Sequence, residues 1–144
     1  TSATAVRFSA DGQLVMASGT SFHGGRLNKL AAYETATAKQ IGQTASTDGI
    51  IVDALFAPNA ERAIAAVSFR KTRPGVTAVR DDPKDEGRIQ AWNLVTGTLL
   101  AESSRLSAEP LSIALSPDGT RIAGFFANGR VLVFNAADLL TPAF

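Results

Sequence analysis

The strongest constraint on this chain is a plan of short strands and tight turns that occurs three times, most legibly between Leu111 and Asn135. There Leu111, Ile113 and Leu115 alternate with Ser112, Ala114 and Ser116, the period of a strand with two distinct faces. Ser116-Pro117-Asp118-Gly119 follows, a turn in which Pro presets φ and Gly accepts a positive φ. The apolar run Ile122 to Phe126 then leads to Asn128-Gly129, two residues that tolerate the positive φ of a type I′ hairpin, and on to Val131-Leu132-Val133-Phe134. The pattern predicts an antiparallel meander.

Two weaker copies lie upstream. Val6-Arg7-Phe8-Ser9-Ala10-Asp11-Gly12 matches Ile113-Ala114-Leu115-Ser116-Pro117-Asp118-Gly119, and the middle copy reads Ala54-Leu55-Phe56-Ala57-Pro58-Asn59-Ala60. A second anchor follows each turn: Gly129-Arg130 precedes Phe134, Gly87-Arg88 precedes Trp92 and Asn28-Lys29 precedes Tyr33, each pair beginning 5 positions before its aromatic. After the aromatic a third turn, Val95-Thr96-Gly97-Thr98 or Ala36-Thr37-Ala38-Lys39, feeds a fourth strand, Leu99 to Glu102 or about Lys39 to Gln43. Four short strands in roughly 40 to 45 residues is the signature of a β-propeller blade. The expected fold is all-β, with three four-stranded antiparallel blades at about 4–45, 50–103 and 109–144 of one domain, 1–144. Runs such as Phe125-Phe126 and Val131 to Phe134 are apolar on both faces, as strands between stacked blades should be.

On these residues the chain resembles the WD40 repeat family, particularly its bacterial versions. Ser116-Pro117-Asp118-Gly119 and Trp92-Asn93-Leu94-Val95-Thr96-Gly97 carry the resemblance most closely, and it covers nearly the whole chain. The Trp-Asp pair of that family stands here as Tyr33-Glu34, Trp92-Asn93 and Phe134-Asn135, and its Gly-His dipeptide is absent. The resemblance implies a propeller or part of one, and protein–protein binding through blade loops and edges.

Three blades pose a physical problem, because a propeller closes with typically about 4 to 8. An open arc has two uncovered faces, and on the order of 500 Å² of apolar surface on each would cost about 12 kcal/mol at ~25 cal/mol/Å². The end faces are therefore expected to be covered by further blades of a longer chain, by self-association into a six-bladed ring, or by other protein subunits. Ala136 to Pro142 leaves little room for a fourth strand in the last unit, an edge that invites pairing. The chain opens Thr1-Ser2-Ala3, which fits a removed leader, a trimmed Met or a position inside a longer polypeptide.

The units differ most between their second and third strands. From the turn acid or amide to the aromatic they span 22, 33 and 16 positions, so insertions fall at Ser21 to Arg26 and Arg70 to Glu86. Equivalent loops of stacked blades emerge on one side, and loops carry recognition. The candidate partner-binding residues are Phe22, His23 and Arg26 in the first loop and Arg70, Lys71, Arg73, Arg80, Asp81 and Asp82 in the second. The second loop is polarised, basic then acidic, and either docks a partner by charge or pairs with itself in solvent.

Composition limits the chemistry. The net charge of +1 creates no field that would draw nucleic acid, and none is expected as a partner; Arg70, Lys71 and Arg73 form only a small basic patch. Without cysteine there is no thiolate catalysis, disulfide or Cys-held metal, and reducing and oxidising compartments both fit. No window approaches about 18 consecutive apolar residues, so membrane insertion is not expected, although peripheral association with a membrane complex remains compatible. His23 is the one histidine and stands on a Gly-rich loop with no second ligand; Asp81 to Glu86 lacks the alternation of a calcium loop. Ser9 and Ser116 read as turn formers, Gly24-Gly25 precedes no helix, and Tyr33, Trp92 and Phe134 read as inter-blade core. No catalytic residue, metal ligand or cofactor is expected. The sequence therefore points to a non-catalytic interaction or structural subunit, the alternative being a piece of a larger propeller enzyme or ligand-binding protein whose site lies in other blades.

Overall fold

In the computed structural model residues 2–21, 27–44, 47, 49–58, 61–69 and 87–138 are described. They form eleven strands in three antiparallel meanders. The first sheet comprises β1 (Ser2–Phe8), β2 (Leu14–Ser21), β3 (Leu27–Glu34) and β4 (Gln40–Gln43). The second comprises β5 (Ile50–Phe56), β6 (Arg62–Ser68), β7 (Gly87–Asn93) and β8 (Leu99–Glu102). The third comprises β9 (Pro110–Leu115), β10 (Arg121–Phe126) and β11 (Val131–Asn135), so that it has three strands among the described residues where four-stranded blades are expected. Strands of each sheet lie side by side in chain order, and β1, β5 and β9 are neighbours, which makes them the inner edge of a propeller-like arc.

Strand registers repeat from sheet to sheet. Phe8 pairs with Val15, Phe56 with Ala63 and Leu115 with Ile122. Each inner strand then shifts register at an equivalent place, between Ala3 and Ala5, between Ile51 and Asp53, and on β9 opposite Phe125 and Phe126. β3 and β7 also shift alike against their outer partners, at Ala32/Tyr33 and Ala91/Trp92. Such bulges add local twist, and repeating them gives each sheet matching curvature. Beyond the outer strands, hydroxyls extend the ladder: Thr44 Oγ1 accepts from Leu30 N and Ser103 Oγ from Ile89 N, both at 3.0 Å.

Two apolar cores fill the gaps between sheets. Met16, Leu30 and Ala32 of the first sheet pack with Ile51, Ala54, Phe56, Ala65 and Trp92 of the second. Ile64, Ala66 and Ile89 of the second pack with Ile113, Ile122, Phe126 and Phe134 of the third. From Ala63 to Ser68 β6 is buried on both faces, as a strand between two neighbours must be, whereas β10 alternates, with Ile122 and Phe126 inside and Phe125 outside. At the outer edge Gly42 lies so close to the second sheet that an added Cβ would meet the Leu94 carbonyl oxygen at 1.9 Å.

The Asp-Gly turns close by a shared polar scheme. Ser116 Oγ donates to Asp118 Oδ1 at 2.6 Å and accepts from Arg121 N at 3.0 Å, while the same carboxylate oxygen accepts from Thr120 N and Thr120 Oγ1. Ser9 and Asp11 repeat this with Leu14 N and Gln13 N. Gly12 and Gly119 take φ of +70° and +71°, as the turn chemistry predicts. In the middle copy Ala57 has no hydroxyl to offer, and the hairpin keeps only the backbone bond common to all three copies, Ala57 N to Arg62 O at 2.9 Å, matching Ser9 N to Leu14 O and Ser116 N to Arg121 O. These bonds stabilise the charged carboxylates: the Ser116 hydroxyl first, then Thr120, hold Asp118 down at about 2, and the Ser9 hydroxyl first lowers Asp11. After the third strands, Gly97 N donates to Asn93 O and Ala38 N to Glu34 O, but Ala38 takes a φ of 58° where Gly97 takes 74°.

Ala38→Gly should relieve a left-handed alanine and raise stability by about 0.5–1 kcal/mol, with Gly97→Ala lowering it by a similar amount, read as opposite shifts of the urea midpoint. The acid behaviour of the turn follows from the lowered carboxylate: with a folded value near 2 against an ordinary 3.8, its contribution is present above about pH 4 and lost as pH falls through about 2. The stability difference between the natural chain and Asp118→Asn should accordingly shrink over that window; a difference that stays constant from pH 5 to about 2 would contradict the turn scheme.

Candidate interaction faces

Register equivalence identifies what each sheet turns toward its neighbours. On β5 Ala54 and Phe56 face the first sheet and are buried, and on β9 Ile113 faces the second and is buried. The matching positions on β1 are Val6 and Phe8, and they stand 56% and 63% exposed, because no sheet among the described residues covers that side. At the other end, Val131 occupies the place of the buried Ile89 and Leu30, and Phe125 that of the buried Ala66 and Ser18, yet they are 61% and 47% exposed, with Leu111 at 48% beside them. Both ends of the arc are therefore apolar faces of the kind that is buried inside it. Tyr33 shows the same effect: Trp92 and Phe134 are the inter-blade core that the sequence predicts, whereas Tyr33 lies on the open face and is only half-buried.

One polar group crosses the stack. Asp53 sits on β5, next to the bulge, with little exposure. Its Oδ1 accepts from Arg7 Nη2 of the first sheet at 3.0 Å and from its neighbour Ala54 N at 2.9 Å. Its Oδ2 accepts from Ile113 N at 3.0 Å and Ser112 Oγ at 3.3 Å, both on the third sheet. A single carboxylate thus touches all three sheets. The sequence-based reading passed over Asp53; its signal was a lone acid in the otherwise apolar run Ile50-Ile51-Val52-Asp53-Ala54-Leu55-Phe56.

A second network lies within the middle sheet. Trp92 Nε1 donates to Gln90 Oε1 at 3.1 Å, Gln90 Nε2 donates to Glu102 Oε2 at 2.6 Å, and Glu102 pairs with Arg88. The Arg88 guanidinium stands over the Phe69 ring, 5.6 Å from its centre, and its Nε is buried without a hydrogen-bond partner. Trp92 thereby satisfies its indole N–H inside its own sheet.

The loop residues expected to bind partners, Phe22, His23, Arg26, Arg70, Lys71, Arg73, Arg80, Asp81 and Asp82, lie outside the described residues. Their flanking strand ends are described: β2 and β3 meet at one rim of the arc, and β6 and β7 meet at the same rim, where the crossovers also pass through the bridges Asn28–Thr47 and Gly87–Leu106.

No family model matches the sequence, and no curated protein matches it. Among solved structures 509 chains match, so the likeness is to a widely used architecture. One of them, from the Kuenenia stuttgartiensis hydrazine synthase, matches with a TM-score of 0.69 over 91% of this chain at 13% identity. The present chain spans 39% of that chain's length. This is a likeness of fold alone.

Removing the Asp53 carboxylate would strand Ile113 N and Ala54 N in the core. Asp53→Ala is expected to cost about 2–4 kcal/mol in urea unfolding, while Arg7→Ala, which removes a side chain half in solvent and leaves the carboxylate its amide bonds, should cost under about 1 kcal/mol. Equal losses for the two variants would mean that the ion pair, rather than the buried amide contacts, carries the tie.

Proposed function

We propose that the chain is a non-catalytic interaction or structural unit, a WD40-like partial propeller whose end faces are covered by other protein in a larger assembly. The observation that carries this reading is the exposure of Val6, Phe8, Leu111, Phe125 and Val131, large apolar side chains on the two ends of the arc. Most of them stand at register positions that are buried within it. Leaving such side chains half in water forgoes on the order of 1 kcal/mol each. Two contiguous faces of this kind mark association surfaces. The Kuenenia stuttgartiensis chain gives further support, since the similar region is there part of a longer chain. The buried polar groups Asp53, Thr44, Ser103 and Gln90 serve backbone amides, neighbouring sheets or the Trp92 indole, which suits a structural role.

Hydroxyl-radical footprinting of the native particle from its natural source, read at Phe8 and Phe125 by mass spectrometry, tests the reading. Both rings are expected to be strongly protected relative to the urea-unfolded chain. Reaction of both as freely as 63% and 47% exposure allows would overturn it.

A further inference from the structure

The two open faces fit each other, and we propose that a second copy of this chain is what covers them. The third sheet of one copy seats on the first sheet of its partner, and two three-sheet arcs close head to tail into a ring. This rests on the docking reading above and adds the identity of the occupant.

Side-chain size at one pair of register positions carries the inference. Across the interface between second and third sheets, Ala66 on the face turned forward shares a core with Phe126 on the face turned back. By register the equivalent pair between first and second sheets is Ser18 and Val67, both buried. In each interface the forward-facing residue is small and the backward-facing one is large. At the open ends the sizes are exchanged: the forward face of the third sheet presents Phe125, and the backward face of the first presents Gly19. A bulky ring and a residue without a side chain at opposing positions fill the same space as Ala with Phe, and volume-conserving exchanges are the ones packed interfaces accept.

Polarity at the inner edge agrees. The tie between sheets uses Asp53 with Arg7. At the ends, Asp53's register position is held by Ala5 and Ser112 and Arg7's by Ala114, so at the inner edge the head-to-tail contact buries no charge that lacks a partner. Because the two faces differ, the contact is heterologous, and such contacts give a closed particle when the rotation completes a circle.

Sedimentation velocity on the purified chain and two face variants tests this. The natural chain should sediment at twice its own mass. Phe125→Glu and Phe8→Glu each replace an exposed residue, so both should keep the β circular-dichroism spectrum. Each should raise the dimer dissociation constant about 100-fold or more, and Val131→Lys should act like Phe125→Glu. An equimolar mixture of Phe125→Glu and Phe8→Glu should regain a heterodimer, because one chain retains its first-sheet face and the other its third-sheet face. A natural chain that stays monomeric, a single variant that remains dimeric, or a mixture that stays monomeric overturns the proposal. If the natural chain is monomeric while Phe8 and Phe125 are protected in the native particle, the occupant is other protein, in a longer chain or a separate one, and the docking reading stands alone.

Discussion

Asp53 is the contact on which the arrangement of the three sheets depends. The two cores between them are built from Ala, Ile, Leu, Val, Met, Phe and Trp, whose attraction is large but without direction. Apolar faces of this kind hold sheets together without fixing how far one slides or rotates on the next. The Asp53 carboxylate supplies that direction, because Arg7 and Ile113 N reach its two oxygens from opposite sides at 3.0 Å. The bulge on β5 adjoins Asp53, on the strand that has the first strands of both neighbouring sheets beside it. A buried carboxylate is costly unless it is fully bonded, and here both oxygens are.

Within each sheet the same local problems are solved by different residues. Turn closure uses the same backbone bond in all three copies, to which the first and third add a serine hydroxyl and an aspartate that the second lacks. The ladder beyond the outer strand is continued by a threonine in one sheet and a serine in the next. Where the first copy puts Ala38, the second puts Gly97, and the backbone conformation is retained although alanine is strained there. Geometry is therefore more uniform across the repeats than composition.

That uniformity explains what could be read from the chain. Strand periods, Asp-Gly and Asn-Gly turns and the spacing to Tyr33, Trp92 and Phe134 are local signals, and the strands they predict are the strands observed. Phe125 and Val131 were legible as apolar, and the count of three units predicted two uncovered end faces, as their exposure shows. Asp53 was not legible because its partners lie 46 and 60 positions away, and nothing local announces that Arg7 and Ile113 converge on it. The Trp92 network was hidden for a similar reason: Gln90 and Glu102 meet only once β7 and β8 pair.

The middle sheet shows what the outer two lack. β6 is buried on both faces and β5 carries the shared carboxylate, so the second sheet has the contacts of a unit inside a propeller, while the first and third each have half of them. Stability must then be unevenly distributed, with the strands nearest Asp53 opening least and the end faces most. The direction of the chain gives the arc a polarity as well: at one register position its leading face presents Phe125 and its trailing face Gly19. Unlike faces of this kind suit association in series rather than back to back. Under the docking proposal, any unit seated on either end meets the same physical demand: an apolar face, small opposite Phe125 or bulky opposite Gly19.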